Sequence, residues 1–407
     1  MLLWMGILGM AVPNFDVLIV GAGPAGSSAA KAAALKGVEV ALVEEHPRVG
    51  EPEHCAGLIH ERDLKNLGGY PERLVEARVR EVKLVVGSRA ELWLKQDFTV
   101  LDRRGFDEFL ALEAVKAGAK LYTGWRAEGM EANGGGLREP VKVKVKDVSG
   151  GGGDSYVASK MVVGADGFKC GVGRWFGIKP EMELATCIQS WVKPNPLSSS
   201  RVMEVYLGRE YAPGGYAWIV PSSNDTAKIG LGVRGVREPA IAYWRRLLER
   251  WKGLEVERVI GHCVPLSGPL ERTYGDGFLL AGDAAGQVVP SSGAGIATSI
   301  TCGGIAGEVA AEYVMGNLDE EEGLSRYERL WRARLGGKFQ ACLEIRRLLE
   351  SVEPGEVEAI RDAFGHIGTL DFSPTKLLGP AVKLLVKRRS LIRLLPLLFK
   401  ARRHGFF

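Results

Sequence analysis

The feature that most constrains this chain is a glycine turn near its start. Phe15 to Val20 is an unbroken apolar run that ends in Gly21-Ala22-Gly23-Pro24-Ala25-Gly26. Ser27 to Lys36 is rich in alanine and favours a helix, and Val38 to Val43 is a second apolar run closed by Glu44. Strand, turn, helix and strand make one βαβ unit. Gly21 permits the tight turn, Gly23 lets the backbone approach a pyrophosphate, and Gly26 lets helix and strand pack closely. The helix N–H groups then face the phosphate charge. Glu44 closes the second strand of the unit, where its carboxylate can accept both hydroxyls of a ribose. It would repel a 2′-phosphate, which favours FAD or NAD over NADP; Glu45 is the neighbour that competes for the role.

A chain of 407 residues suggests two or three domains. With 46% apolar and 25% charged residues, disorder and collagen-like architecture are excluded. Six cysteines lie far apart with no Cys-x-x-Cys pair, so a metal site of zinc-ribbon or iron–sulfur type is not expected, nor a secreted disulfide scaffold. The stretch ahead of Phe15 lacks the basic start of a signal peptide and is too short to span a bilayer, so an extended lead into the first strand is expected. Val141 to Val148 alternates Val with Lys or Asp, the pattern of a half-exposed strand. Tyr156 to Val163 is a further strand leading into Gly164-Ala165-Asp166-Gly167, with Asp166 read as a turn residue. From Thr186 to about Pro265 short strands predominate, interrupted by a helix over Ile241 to Trp251.

A second glycine-acid motif separates flavin from nicotinamide. Gly282-Asp283-Ala284-Ala285-Gly286 follows the strand at Gly277 to Ala281, and its carboxylate is placed to accept hydrogen bonds from a ribityl chain. A bipartite dinucleotide site fits FAD. Together with Arg103-Arg104-Gly105-Phe106-Asp107, Gly164 to Gly167, and Gly293-Ala294-Gly295-Ile296, these motifs resemble the FAD-dependent reductase and hydroxylase superfamily over residues 15 to about 315. The resemblance implies that Arg103 touches the ribityl or pyrophosphate part and that Ala127 lends backbone to the adenine. It also implies that Gly295 and Ile296, with Gly293 before them, present N–H groups to the flavin pyrimidine, where a positive helix end stabilises the reduced anion.

Two further motifs narrow the resemblance. Cys55-Ala56-Gly57-Leu58-Ile59 and Pro213-Gly214-Gly215-Tyr216-Ala217-Trp218-Ile219-Val220-Pro221 are similar to those of the geranylgeranyl reductase family, including the archaeal digeranylgeranylglycerophospholipid reductases. Val220 stands where that family has Phe, which alters the shape of an apolar wall. The resemblance implies FAD-bound contacts at Cys55, Ala56 and Leu58, and a substrate wall at Tyr216, Trp218 and Val220. An isoprenoid double bond is unpolarised, so its reduction takes a hydride and a separately delivered proton. Tyr216 and Trp218 alternate on one strand and so share a face, and Tyr216 carries a proton that could be delivered. Two readings stand for Cys55: a small apolar residue packed beside the flavin, or a proton relay or redox gate acting with Cys302.

The expected fold is α/β, α+β overall: a doubly wound FAD-binding Rossmann-type domain, an inserted antiparallel β-sheet substrate domain, and a helical C-terminal region. The FAD-binding segments are 14–75, 101–175 and 271–323, the substrate-domain segments 76–100 and 176–270, and the C-terminal region 324–407. The expected partners are an isoprenoid lipid and an electron donor, NAD(P)H, ferredoxin or another carrier, with no nucleic acid. The stretch from Lys376 to Phe407 holds nine of the 53 basic residues and none of the 49 acidic ones, so the rest of the chain is mildly acidic, with a net charge of −5. Leucines alternate with those basic residues over 383–407, which reads either as an amphipathic helix on an anionic bilayer or as a packed helix with snorkelling cations. The expected location is cytoplasmic, peripheral to the membrane in the first case. Competing functions are a flavin monooxygenase or halogenase, whose Trp-x-Trp-x-Ile-Pro is close to residues 216–221, and an electron-transfer flavoprotein dehydrogenase that reduces quinone.

Overall fold

A computed structural model describes residues 13–87, 90–131, 140–148, 154–197, 199–318, 323–350 and 369–370. The expected extended lead and the basic tail at 383–407 lie outside these residues.

The βαβ unit forms as the sequence predicts. Asn14–Val20 pairs in parallel with Val40–Glu44 on one side and with Asp154–Gly164 on the other. Lys120–Thr123 and Phe278–Leu280 extend the parallel set at its two edges. Strands buried on both faces read as continuous apolar runs, and Val17 to Ile19 and Ala41 to Leu42 are fully buried. Helices Pro24–Leu35, Arg103–Lys116 and Ile296–Val314 contribute to the core on one face. The hairpin Trp125–Glu131 and Val141–Asp147 covers the other through Trp125, Val143 and Val145. Val143 and Val145 point in while Lys142 and Lys146 stay exposed, as the alternation predicts.

Two glycines bring the first and last of these helices into backbone contact. A Cβ on Gly303 would stand 2.1 Å from the Ala25 carbonyl oxygen, and one on Gly307 2.1 Å from that of Ala29. The row of small residues in Ile296–Val314 is therefore what places its N-terminus beside the glycine turn.

The second sheet is built mainly from antiparallel strands in the order Glu255–Pro265, Leu184–Lys193, Ala227–Val233, Tyr216–Pro221, Val202–Leu207, Val75–Val86 and Ala90–Leu101. One internal pair, Val202–Leu207 with Val75–Val86, is parallel. Helix Ala240–Leu248 covers the outer face with Trp244 and Leu247. The short strand Leu58–His60 pairs with Ala90–Leu101, so this sheet reaches back into the stretch expected to belong wholly to the first domain segment. The physical reason is Gly57, whose φ of +81 and contact with the Leu101 backbone let the chain turn onto the sheet edge. Past Leu324, helices Ser325–Trp331 and Gly337–Glu350 are joined by a π-helical turn, Arg332–Gly336.

Candidate active site

The glycine turn separates into two kinds of position. A Cβ on Gly21 would meet the Ala165 carbonyl oxygen at 2.4 Å, and one on Gly26 the Gly21 carbonyl oxygen at 1.8 Å. Both are therefore required by the protein's own packing. At Gly23 a Cβ meets nothing within 4 Å, and φ is −69, a value open to any residue. The space above Gly23 is what an approaching pyrophosphate needs, at a helix start that has no side-chain cap. Ala25 is buried in the same first turn.

Glu44 sits where the sequence places it, at the end of the second strand, but much of its carboxylate serves the protein. Oε2 accepts the Ala22 N–H at 2.8 Å, while Oε1 accepts the His46 N–H at 2.9 Å and lies 2.6 Å from His46 Nδ1. Its first role is to fasten the turn, and its remaining lone pairs are what a ribose could use. Glu45 is settled elsewhere, 2.8 Å from Arg126 Nε. Ala127 lies on the adjoining strand at a bulge between Ala127 and Gly129, its side chain packed toward the core beneath the hairpin.

Arg103 is buried rather than on the surface. It holds Asp107 with contacts of 3.0 and 2.9 Å from Nη2 and has Cys55 as an electrostatic neighbour. Burial opposes the charge, but Asp107 and Cys55 more than restore it, so a fixed cation faces this region. Asp283 lies at the other side. Among the described residues its carboxylate makes no hydrogen bond to protein, and burial raises its pKa to about 6, with Arg103 partly offsetting. An unpartnered carboxylate is the group a ribityl hydroxyl would satisfy. Helix Ile296–Val314 starts beyond Gly295 with no side-chain cap and no acid in its first turn, while Gly293 takes φ +72. These residues fit FAD: an open phosphate cradle, a free acceptor for the ribityl chain, and an uncapped helix end. Asp166 behaves as a turn residue, accepting the Val172 N–H at 3.0 Å.

The inner face of the second sheet supplies the remaining wall. Tyr216, Trp218 and Val220 lie together in one apolar cluster that also takes in Ala56 and Leu58. The rings of Tyr216 and Trp218 are 5.7 Å apart. Trp218 lies over Gly230, where a Cβ would come within 2.5 Å of the indole, and its N–H donates to Gln189 Oε1 at 3.3 Å. The Gln189 side-chain nitrogen is buried without a partner. Tyr216 donates its hydroxyl proton to the Ser292 carbonyl, on the loop that precedes the flavin-side helix. Burial makes this phenol a much weaker acid than in water. The contact makes Tyr216 a strut between sheet and loop, with its proton retained at neutral pH.

Cys55 is near Arg103, Cys187 and Tyr216. Cys302, its expected relay partner, is instead fully buried in the core under the first sheet, with Tyr327 and Arg334 as its electrostatic neighbours. Its position on the small-residue helix turns it toward that core, whereas Cys55 packs in the cluster of Ile296 and Ile300 at the start of the same helix. Gln189, Gly230 and Lys228 escaped the sequence reading. For Lys228 and Gly230 the signal was the alternation of Lys228, Gly230 and Gly232 in Ala227–Val233, with two small residues at every second position on one face.

Comparison with known proteins agrees with this geometry. A family model described as FAD binding domain matches residues 14–229, more than half of the chain. This defines the class, an FAD-binding flavoprotein. A digeranylgeranylglycerophospholipid reductase of Methanocaldococcus jannaschii is 36% identical over 368 residues, covering 86% of this chain and 91% of that protein. One from Methanothrix thermoacetophila is 34% identical over 406 residues, covering 96% and 98%. The chain belongs to the digeranylgeranylglycerophospholipid reductase family. A geranylgeranyl bacteriochlorophyll reductase-like structure from Thermoplasma acidophilum superposes with a TM-score of 0.82 at 25% identity, covering 95% of this chain and 100% of that one. The flavin-dependent brominase Bmp2, at a TM-score of 0.61 and 19% identity over 93% of this chain and 100% of that one, shares the fold alone.

Proposed function

We propose that this protein is an FAD-dependent reductase that saturates isoprenoid C=C bonds, those of geranylgeranyl chains on archaeal ether phospholipids. The observation that carries the reading is the apolar wall of Tyr216, Trp218, Val220, Ala56 and Leu58, joined to the cofactor loop through the Tyr216–Ser292 contact. A long hydrocarbon chain calls for such a dry surface, and the two archaeal relatives bear the name of that activity.

Bound FAD, once reduced, would supply the hydride, and the Tyr216 hydroxyl, directly or through one water, the proton for the other carbon. The rest of the protein's share is binding and orientation. Gly21 to Gly26 and Asp283 hold the cofactor, with Arg103 as the neighbouring fixed cation. The uncapped end at Gly295 and Ile296 favours negative charge. Trp218, pinned over Gly230, and Val220 shape the channel and exclude water. Cys55 packs at the junction of Arg103 and Tyr216. The electron donor, a nicotinamide nucleotide or a protein carrier, docks transiently, and the basic tail at 383–407 seats the enzyme on an anionic membrane. Among the described residues no helix is long and apolar enough to cross one.

The test is anaerobic incubation of dithionite-reduced holoprotein with a geranylgeranylated archaeal phospholipid, read by mass spectrometry. A gain of two hydrogens per double bond supports the reading. Turnover that demands oxygen favours a monooxygenase or halogenase, and quinone reduction without alkene reduction favours the dehydrogenase; either sinks it.

A further inference from the structure

Lys228 is a charged residue on the inner face of an otherwise apolar strand, and its side chain is wholly inaccessible to solvent. Its Nζ stands 3.0 Å from Glu53 Oε1 and 2.8 Å from Glu76 Oε2, with the Ala56 carbonyl oxygen at 3.5 Å. Glu53 and Ala56 belong to the loop that carries Cys55, on the flavin side, whereas Lys228 and Glu76 belong to the sheet. Glu76 reaches the ammonium because the ladder of Val75–Val86 is irregular between Val75 and Ala77, a bulge that re-aims one side chain.

Further ties join the same loop to the same sheet. Arg258 Nη2 donates to the Glu53 carbonyl at 2.6 Å. Arg258 and Lys228 both lie over the Trp191 ring, at 4.2 and 5.7 Å from its centroid. The His54 ring stacks on His262 at 3.6 Å. An apolar residue at 228 would pack a sheet interior with less desolvation, so stability alone does not account for an ammonium there. Its partners do: they straddle the junction next to Val220, the cross-strand neighbour of Lys228.

We propose that Lys228, with Glu53 and Glu76, forms an ionic latch that positions the loop 53–58 against the sheet and so fixes the wall of the isoprenoid chamber next to the flavin. This rests on the reductase reading above. Lys228 is a positioning residue: it touches Ala56 and Glu53, and through them sets where Ala56 and Leu58 meet the chain being reduced. The burial that raises the Glu76 carboxyl, opposed by the Lys228 charge, is in keeping with two acids sharing one base in a dry site.

The experiment uses the full-length holoprotein and the variant Lys228→Met, which keeps the aliphatic stem and deletes the charge, beside Glu53→Gln. Flavin content, visible circular dichroism of the bound flavin, the rate of flavin reduction by dithionite, and kcat and KM for the phospholipid are measured. A displaced wall predicts a fall in kcat/KM of about 10- to 100-fold, a changed flavin dichroism, and flavin content and dithionite rate kept close to wild type. Lys228→Met with wild-type kcat/KM and wild-type dichroism overturns the latch, as does loss of flavin in step with loss of activity. Should Lys228→Met fail to fold because two carboxylates are left facing each other, the charge-free Glu53→Gln/Glu76→Gln/Lys228→Met protein is read in the same way. If the wild-type enzyme leaves the lipid unreduced, the reductase reading fails, and the flavin dichroism alone then decides the latch.

Discussion

Replacing Gly23 by Ala should separate folding from cofactor binding. A Cβ at this position meets no protein atom within 4 Å, and the backbone there needs no positive φ. Ala is a poorer helix N-cap than Gly, at a cost of about 1 kcal/mol or less, and reduced freedom of the unfolded chain returns about 0.4–1 kcal/mol. The two nearly cancel, so the apoprotein should unfold within about 1 kcal/mol of wild type. The cofactor suffers differently. The methyl group stands where the pyrophosphate must approach, and losing two hydrogen bonds to a charged group costs about 3–6 kcal/mol. That is a weakening of FAD binding by roughly 10²- to 10⁴-fold. The assay is denaturant unfolding of apoprotein together with FAD titration by flavin fluorescence. Gly26→Ala is the contrast, because its Cβ would press to 1.8 Å from the Gly21 carbonyl oxygen, and it should lose the fold itself. If Gly23→Ala binds FAD as wild type does, the pyrophosphate does not sit on this turn and the reasoning fails.

Two other perturbations probe the site. Tyr216→Phe removes both the strut to Ser292 and the proton the phenol could deliver, so kcat should fall by about 100-fold or more, beyond the roughly tenfold or less that one lost hydrogen bond is worth, with any alkaline limb of the kcat profile lost; a drop of about tenfold or less with the profile unmoved would leave Tyr216 a strut alone. The His54–His262 stack makes stability depend on pH. Burial holds His54 down to about 3 and His262 to about 4, with neighbouring positive charge adding to the effect. The unfolded chain takes up protons near pH 6.5, so the stability linked to these rings is intact above that value and declines as pH falls toward 4. His262→Phe keeps a ring for stacking and should flatten the unfolding midpoint over this window, whereas an unchanged slope would show the pair does not titrate this way.

The cofactor half of the molecule was legible because local chemistry dictates it. A turn that requires Gly21 and Gly26 for its own closure, followed by a helix and an acid-ended strand, admits few alternatives. The alternation that put Tyr216, Trp218 and Val220 on one face was equally readable, since a strand's period is fixed at two. What could not be read is what depends on chain segments far apart meeting. Glu44 divides its carboxylate between the turn and His46, and no spacing rule foretells the second partner. Cys302 faces the helix core because Gly303 and Gly307 pull its helix onto Ala25 and Ala29, a contact between the first helix of the cofactor domain and its last sequence segment. Lys228 looks like an interruption in an apolar strand until Glu53 and Glu76 arrive from two other segments.

The central claim is that a reduced flavin here delivers its electrons directly into an isoprenoid double bond held against the Trp218 wall. A single anaerobic turnover tests it: holoprotein reduced with one equivalent of dithionite is mixed with the geranylgeranylated phospholipid, and the oxidised-flavin absorbance is followed alongside the lipid. The account predicts that the absorbance returns in step with the double bonds lost, one flavin for each. A flavin that stays bleached until oxygen or a quinone is admitted, with the lipid unchanged, would contradict it.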